Sequence, residues 1–361
     1  MLRHDLIYFS DISSSTKFSY TIVLTISVLI LCGYRWKYTW SEGDTAKYQN
    51  IGFLPSQRML NNASYSIEYL NKPRVKHKIC PMFICGACGM GNAIFQFASA
   101  FGIALHLNMK LVIAENDIFN KIFQIKDKDI EIHQNRHTCD KMEIVTEQYG
   151  CCTYDKTFRS LNSSRDFRLR DYLHSWKYFQ GYESKIRKQL VFKKHLQHYA
   201  EQTILYCIHK HQFRSRSETV IVGVHVRRGD MVHKSHRGYN VASAEYFVNA
   251  MLLFSSKFNK TILFIIATND KNWTMQNIVL NKRLLGFKFE ITGHRRPEND
   301  FVILSNCDHV ITSVGTFGWW AAWIANGVTT YYTWPVQPNT YVGNQYNKDF
   351  TDFFYPNWIG L

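Results

Sequence analysis

Three observations predict an α/β fold with mostly parallel sheets covered by helices. From Thr219 onward, short apolar runs alternate with segments whose apolar residues recur at helical spacing, the rhythm of buried strands joined by crossover helices. Upstream, a glycine-bearing turn around Gly89 and Gly91 separates an apolar run from a helical pattern, as at the start of a βαβ unit. A chain of 361 residues with 46% hydrophobic and 15% aromatic composition is long and apolar enough for two domains with real cores.

Taken in order, Ile79–Ile84 reads as the first buried strand, and Ile94, Phe97, Ala98, Phe101 and Leu105 then fall on one helical face. Lys110–Ala114 is the next strand. Residues 115–215 hold helical stretches, a charged run from Lys121 to Glu131 and the adjacent Cys151 and Cys152, without an assignable order. The pattern resumes with strand Thr219–Val226, helix Ser243–Phe254 and strands Thr261–Ala267 and Phe287–Ile291. Helix Pro297–Asn306, strand His309–Ser313, helix Phe317–Ala325 and strand Thr329–Tyr332 complete it. Two α/β domains are expected, at 79–215 and 216–361.

Ahead of them, Phe18–Tyr34 contains no charged residue, and its 17 positions span about 26 Å as a helix. That matches the thin bilayers of the early secretory pathway. Tyr34, Arg35, Trp36 and Lys37 follow as an aromatic and basic interface belt instead of a small-residue cleavage site, which favours a retained membrane anchor over a cleaved signal peptide. The organisation is then a short tail (1–17), one membrane helix (18–34) and a stem (35–78). Arg3, Lys17 and the amino terminus nearly balance Arg35, Lys37 and Lys47, so flanking charge does not set the orientation. The N-glycosylation triplets at Asn62, Asn162, Asn259 and Asn272, and eight of nine cysteines, all lie C-terminal to the span, as a lumenal body requires.

An excess of 43 basic over 28 acidic residues gives +15. No basic helix, zinc-finger spacing or aromatic RNP-like strand accompanies it, so no nucleic-acid partner is expected. Cys85-Gly86-Ala87-Cys88 has C-x-x-C spacing but no second ligand pair nearby, and reads as a disulfide or buried thiols. Asp127-Lys128-Asp129 is the only D-x-D; it sits in a lysine-rich, solvated run and not at a strand end, so no metal site is assigned there.

The chemistry is concentrated at His225-Val226-Arg227-Arg228-Gly229-Asp230, where two adjacent guanidiniums close an apolar strand. Each guanidinium is planar, permanently charged and able to hold two phosphate oxygens, so the pair suits a diphosphate. His225 and Asp230 either orient the guanidiniums or touch the bound ligand themselves. Gly315-Thr316-Phe317-Gly318 lies between a strand ending near Ser313 and a helix, where free N–H groups and the helix dipole favour a phosphate and where Ser313 and Thr316 add hydroxyls. Gly89, Gly91 and Asn92 occupy the first βα turn, where backbone approaches a ligand closely. Trp319, Trp320 and Trp323 read as core.

The H-x-R-R-x-D block, with Gly89–Ala98 (G-x-G-N-x-x-F-Q-F-A) and the Asp300–Leu304 and Gly315–Ala322 segments, resembles the α1,2-fucosyltransferases of glycosyltransferase family 11. Order and spacing agree over roughly 79–335, although Cys88 stands where the family usually has another glycine. The resemblance implies a GT-B-like pair of Rossmann-type domains around a cleft. It also implies inverting transfer of L-fucose from GDP-β-L-fucose to a galactose hydroxyl of a glycan, without a metal or other cofactor, in the Golgi lumen on a type II single-pass anchor. By that resemblance Arg227 and Arg228 hold the pyrophosphate, with His225 and Asp230 beside them. Ser313, Gly315, Thr316 and Phe317 complete the donor site, Asp300 reads guanine, and Gly89, Gly91 and Asn92 face the cleft. A non-catalytic glycan- or nucleotide-binding relative of the same fold is the alternative.

Overall fold

The computed structural model describes residues 76–82, 89–134, 137–292 and 296–361. The expected anchor, almost the whole stem, Asn62 and the Cys85–Cys88 pair lie outside the described residues. Among those residues no helix is long and apolar enough to cross a membrane.

Two sheets organise the unit from Arg74 to Leu361. The first has five strands in the order β3-β2-β1-β5-β4: β1 (Lys78–Pro81), β2 (Lys110–Ala114), β3 (Ile130–His133), β4 (Glu143–Val145) and β5 (Phe167–Leu169). The second has six in the order β11-β10-β9-β6-β7-β8. These are β6 (Thr219–Val226), β7 (Thr261–Thr268), β8 (Lys288–Ile291), β9 (His309–Thr312), β10 (Thr329–Tyr331) and β11 (Ile359–Gly360). Every paired neighbour runs parallel, as the alternation of strands and helices requires. Strand β6 is buried at all eight positions because helices cover both of its faces, which is why it reads as an unbroken apolar run.

The first strand is shorter than its apolar run, ending at Pro81. The region left unassigned supplies β3, β4 and β5. Strands β3 and β4 expose part of both faces, so no two-residue alternation marks them.

Helix α1 (Met90–His106) buries nearly its whole surface, and α2 (Glu183–Gln189) and α3 (Lys194–Lys210) follow the first sheet. In the second half, α4 (Ala244–Lys257) is capped by the Ser243 side chain, which accepts from the Tyr246 N–H. Helix α5 (Pro297–Ser305) opens on proline, and α6 (Thr316–Ala325) follows β9. One apolar cluster spans both sheets, with Phe95 of α1 packed 4.6 Å from Trp319 and 5.0 Å from Trp320. Trp319, Trp320 and Trp323 are buried in this core.

The C-terminal segment fastens the halves. Asp352 accepts from the Tyr154 N–H at 2.9 Å and pairs with Lys177, its carbonyl accepts from Ser175, and Trp319 Nε1 donates to the Phe353 carbonyl at 2.8 Å. Cys80 is joined to Cys139 and Cys151 to Cys152, while the Cys207 and Cys307 thiols are buried.

Candidate active site

The order of the second sheet reverses direction at β6: β7 and β8 lie on one side, β9 and β10 on the other. A crevice therefore opens beyond the carboxyl ends of β6 and β9, the place where open parallel sheets bind ligands. Register puts His225 opposite Thr312 and Val226 opposite Thr268, so the chain leaves β6 at Arg227 directly into that crevice.

The two arginines are held differently. The Arg227 N–H donates to Ser313 Oγ at 3.0 Å, and the same hydroxyl lies 3.3 Å from His225 Nδ1. His225 is buried, and its ring lies against Phe317 with centroids 5.4 Å apart. Burial, with the Arg227 charge, lowers its pKa to about 3, so at neutral pH it is an uncharged support for Ser313. The Arg227 guanidinium forks onto Asp230, with Nη2 3.1 Å from both carboxylate oxygens, and Lys234 reaches the same carboxylate at 2.8 Å. Burial acts to raise the Asp230 pKa, but the Lys234 and Arg227 contacts outweigh it and hold it below the ordinary value.

Arg228 is clamped from β7. Its N–H donates to Asn269 Oδ1 at 2.8 Å, its Nε lies 3.4 Å from Asp270 Oδ2, and its guanidinium sits 3.9 Å from the ring centroid of Trp273. Its side chain is only 16% exposed, so this stack is partly desolvated. Asn269, Asp270 and Trp273 were not legible as site residues: nothing in a polar strand end and an isolated tryptophan says which arginine they meet. Three cations, Arg227, Arg228 and Lys234, face two carboxylates, Asp230 and Asp270, so one positive charge is left for an anion.

Across the crevice, Gly315 has φ +86°, a conformation that favours glycine. It turns the chain from β9 into α6, whose first N–H groups have no acceptor within the helix. Thr316 Oγ1 donates to Asn92 Oδ1 at 2.5 Å. A side chain at Gly91 would come within 2.4 Å of the Thr316 backbone, so the N-terminal ends of α1 and α6 are packed as closely as glycine permits. Phe317 joins Phe301 edge-on at 5.2 Å, which places Asp300, in the first turn of α5, next to this wall.

The structure thus brings together His225, Arg227, Arg228, Asp230, Ser313, Gly315, Thr316, Phe317, Gly91 and Asn92. Asp300 is brought beside them by its neighbour Phe301, and Gly89, the N-cap of α1, has open space among the described residues where a side chain would be. Asn162 and Asn259 are exposed; Asn272 is too, but Thr274 of its triplet is fully buried and its hydroxyl donates to the Asp270 carbonyl at 2.8 Å. The D-x-D is not simply a solvated run, because Asp129 is buried at 6% exposure and paired with Lys76 at 2.7 Å.

Among relatives, the chain is 27% identical to galactoside alpha-(1,2)-fucosyltransferase 2 of Rattus norvegicus over 288 residues, covering 78% of this chain and 77% of that one. It is also 27% identical to the protein of the same name from Bos taurus over 315 residues, 82% and 83% of the two chains. A crystal structure of POFUT1 in complex with GDP aligns at TM-score 0.45 and 12% identity, over 71% of this chain and 96% of that one. The glycosyl transferase family 11 model matches residues 55–361, and the chain belongs to that family of glycosyltransferases.

Proposed function

We propose that this glycosyltransferase moves L-fucose from GDP-β-L-fucose to O2 of a galactose residue in a glycan, with inversion at the fucose anomeric carbon. The observation that carries the reading is the cationic crevice at the β6/β9 switch point, where Arg227 and Arg228 face the N-terminal end of α6. As GDP leaves, negative charge grows on its β-phosphate, and cations already fixed there stabilise the transition state more than the ground state. Arg228 is the fixed element, stacked and clamped; Arg227 exchanges Asp230 for phosphate oxygens, and the ion pair with Lys234 keeps the released carboxylate in place. In this reading no metal is needed.

Asp300 at the start of α5 accepts the two donors of guanine, and the 216–361 half binds the nucleotide in a GT-B-like arrangement with the acceptor-side half at 79–215. The names of the relatives support the galactoside acceptor. A type II Golgi anchor at 18–34 with a lumenal body completes the proposal.

The test is transfer by the purified full chain from labelled GDP-fucose to a β-galactoside. Methylation analysis reports the linkage and NMR coupling constants the anomer. Folded protein that binds GDP yet neither transfers nor hydrolyses GDP-fucose would establish a non-catalytic relative instead.

A further inference from the structure

Four aromatic side chains are strongly exposed among the described residues: Tyr149 at 44%, Tyr206 at 65%, Trp334 at 62% and Tyr341 at 70%. Tyr206 lies on α3. The other three lie on segments joined to one another beside the cationic crevice.

Trp334 and Tyr341 belong to the segment that leaves β10, the strand next to β9. That segment is sewn to the loop beyond Asp230. Asn240 N–H donates to the Pro335 carbonyl at 3.1 Å, Gln337 N–H to the Gly238 carbonyl at 2.8 Å and Asn240 Nδ2 to the Trp334 carbonyl at 3.0 Å. The 234–238 turn hangs from Lys234, which pairs with Asp230, and Arg237 lies 5.8 Å from the Tyr341 ring centroid. Tyr149 arrives from the first half: its neighbour Gly150 lies against Gln345, whose side chain donates to the Tyr341 carbonyl at 3.3 Å.

Large rings exposed on a mobile tail need no explanation, but these stand on backbone held by hydrogen bonds, interleaved with Arg237 and Gln345. A flat apolar face fringed by hydrogen-bonding groups is complementary to a pyranose. Galactose suits it best, because its axial O4 leaves the C–H bonds at C3, C4 and C5 together on the opposite face as an apolar patch. We propose that Trp334, Tyr341 and Tyr149 form the acceptor subsite, stacking the C–H face of a β-galactoside pyranose at the edge of the donor crevice. This rests on the fucosyltransferase reading given above and places two of the three acceptor-binding rings, Trp334 and Tyr341, on the second half and not on the acceptor-side half at 79–215.

The test compares wild type, Trp334→Ala, Tyr341→Ala, Trp334→Phe and the distant Tyr206→Ala, each as the full chain. Acceptor KM is measured by fucose transfer and galactoside binding by calorimetry. Each rim alanine variant should raise acceptor KM and Kd about tenfold, with Trp334→Phe recovering most of the loss. GDP-fucose KM, GDP binding and Tyr206→Ala should stay at wild-type values. Acceptor KM within about twofold of wild type in both alanine variants, with transfer intact, would overturn the rim and leave the fucosyltransferase reading standing. A parallel rise in donor KM would also overturn it, by placing the rings at the nucleotide. Trp334-dependent galactoside binding by a chain that transfers no fucose would support the rim and remove the transferase reading.

Discussion

Trp273→Leu isolates the part of the site that the structure added. The guanidinium of Arg228 lies 3.9 Å from the Trp273 centroid on a side chain only 16% exposed. A cation–π contact in that setting is worth about 1–2 kcal/mol, or a factor of about 5–30 in rate if the lost order is felt in the transition state. Arg228→Ala removes the charge itself and should lower kcat by about 100- to 1000-fold, the loss typical of one preorganised charge-stabilising group. Lysine should not restore it, because a point charge cannot reproduce a stacked fork. Since Trp273 acts through Arg228, the two effects should not add: in the Arg228→Ala background, Trp273→Leu should change kcat by less than about twofold. The assay is a double-mutant cycle on GDP-fucose turnover with acceptor in excess. If Trp273→Leu costs the same with and without Arg228, the tryptophan is not a platform for the arginine and the clamp is refuted.

Gly91→Ala should destabilise the protein by about 1–3 kcal/mol, read as a lower Tm, because the new methyl meets Thr316 and Phe317 backbone and no movable side chain. An unchanged Tm would mean the two helix ends are not packed as described. EDTA should leave transfer unchanged in a demetallated buffer, and strict dependence on manganese would return attention to Asp127 and Asp129. Stability should peak in mildly acidic solution. Burial raises the Glu147 pKa to about 8, so the native state holds a proton that the unfolded chain releases near 4.5, and stability falls as pH rises from about 4.5 to 8. Burial lowers His174 and His225 to about 3, so the unfolded chain gains protons first and stability falls as pH drops from about 6.5 to 3. Each group contributes a slope of about 1.4 kcal/mol per pH unit inside its window. Denaturant titrations should show the alkaline limb flattened in Glu147→Gln, and an unchanged limb would show that Glu147 is ionised at neutral pH.

The second half could be read closely from sequence, because its inner strands β6, β7 and β9 are covered on both faces and its helices carry apolar faces. Local periodicity is then a faithful record of burial, and the boundaries at Thr219–Val226 and His309–Thr312 fall within a residue of expectation. Charge and glycine positions are likewise local, so Arg227, Arg228, Asp230 and the 315–317 turn could be singled out together before the fold placed them around one crevice. The remainder depends on packing between distant segments. Strands β3 and β4 are short and partly exposed, and leave no period to read. The clamp on Arg228 depends on parallel register, which sets Thr268 opposite Val226 and so delivers Asn269, Asp270 and Trp273 some 40 residues downstream. The contact between Asn92 and Thr316 joins positions 224 residues apart. Such pairings follow from how sheets stack and helices end, and these are set by the whole core because no local segment contains both partners.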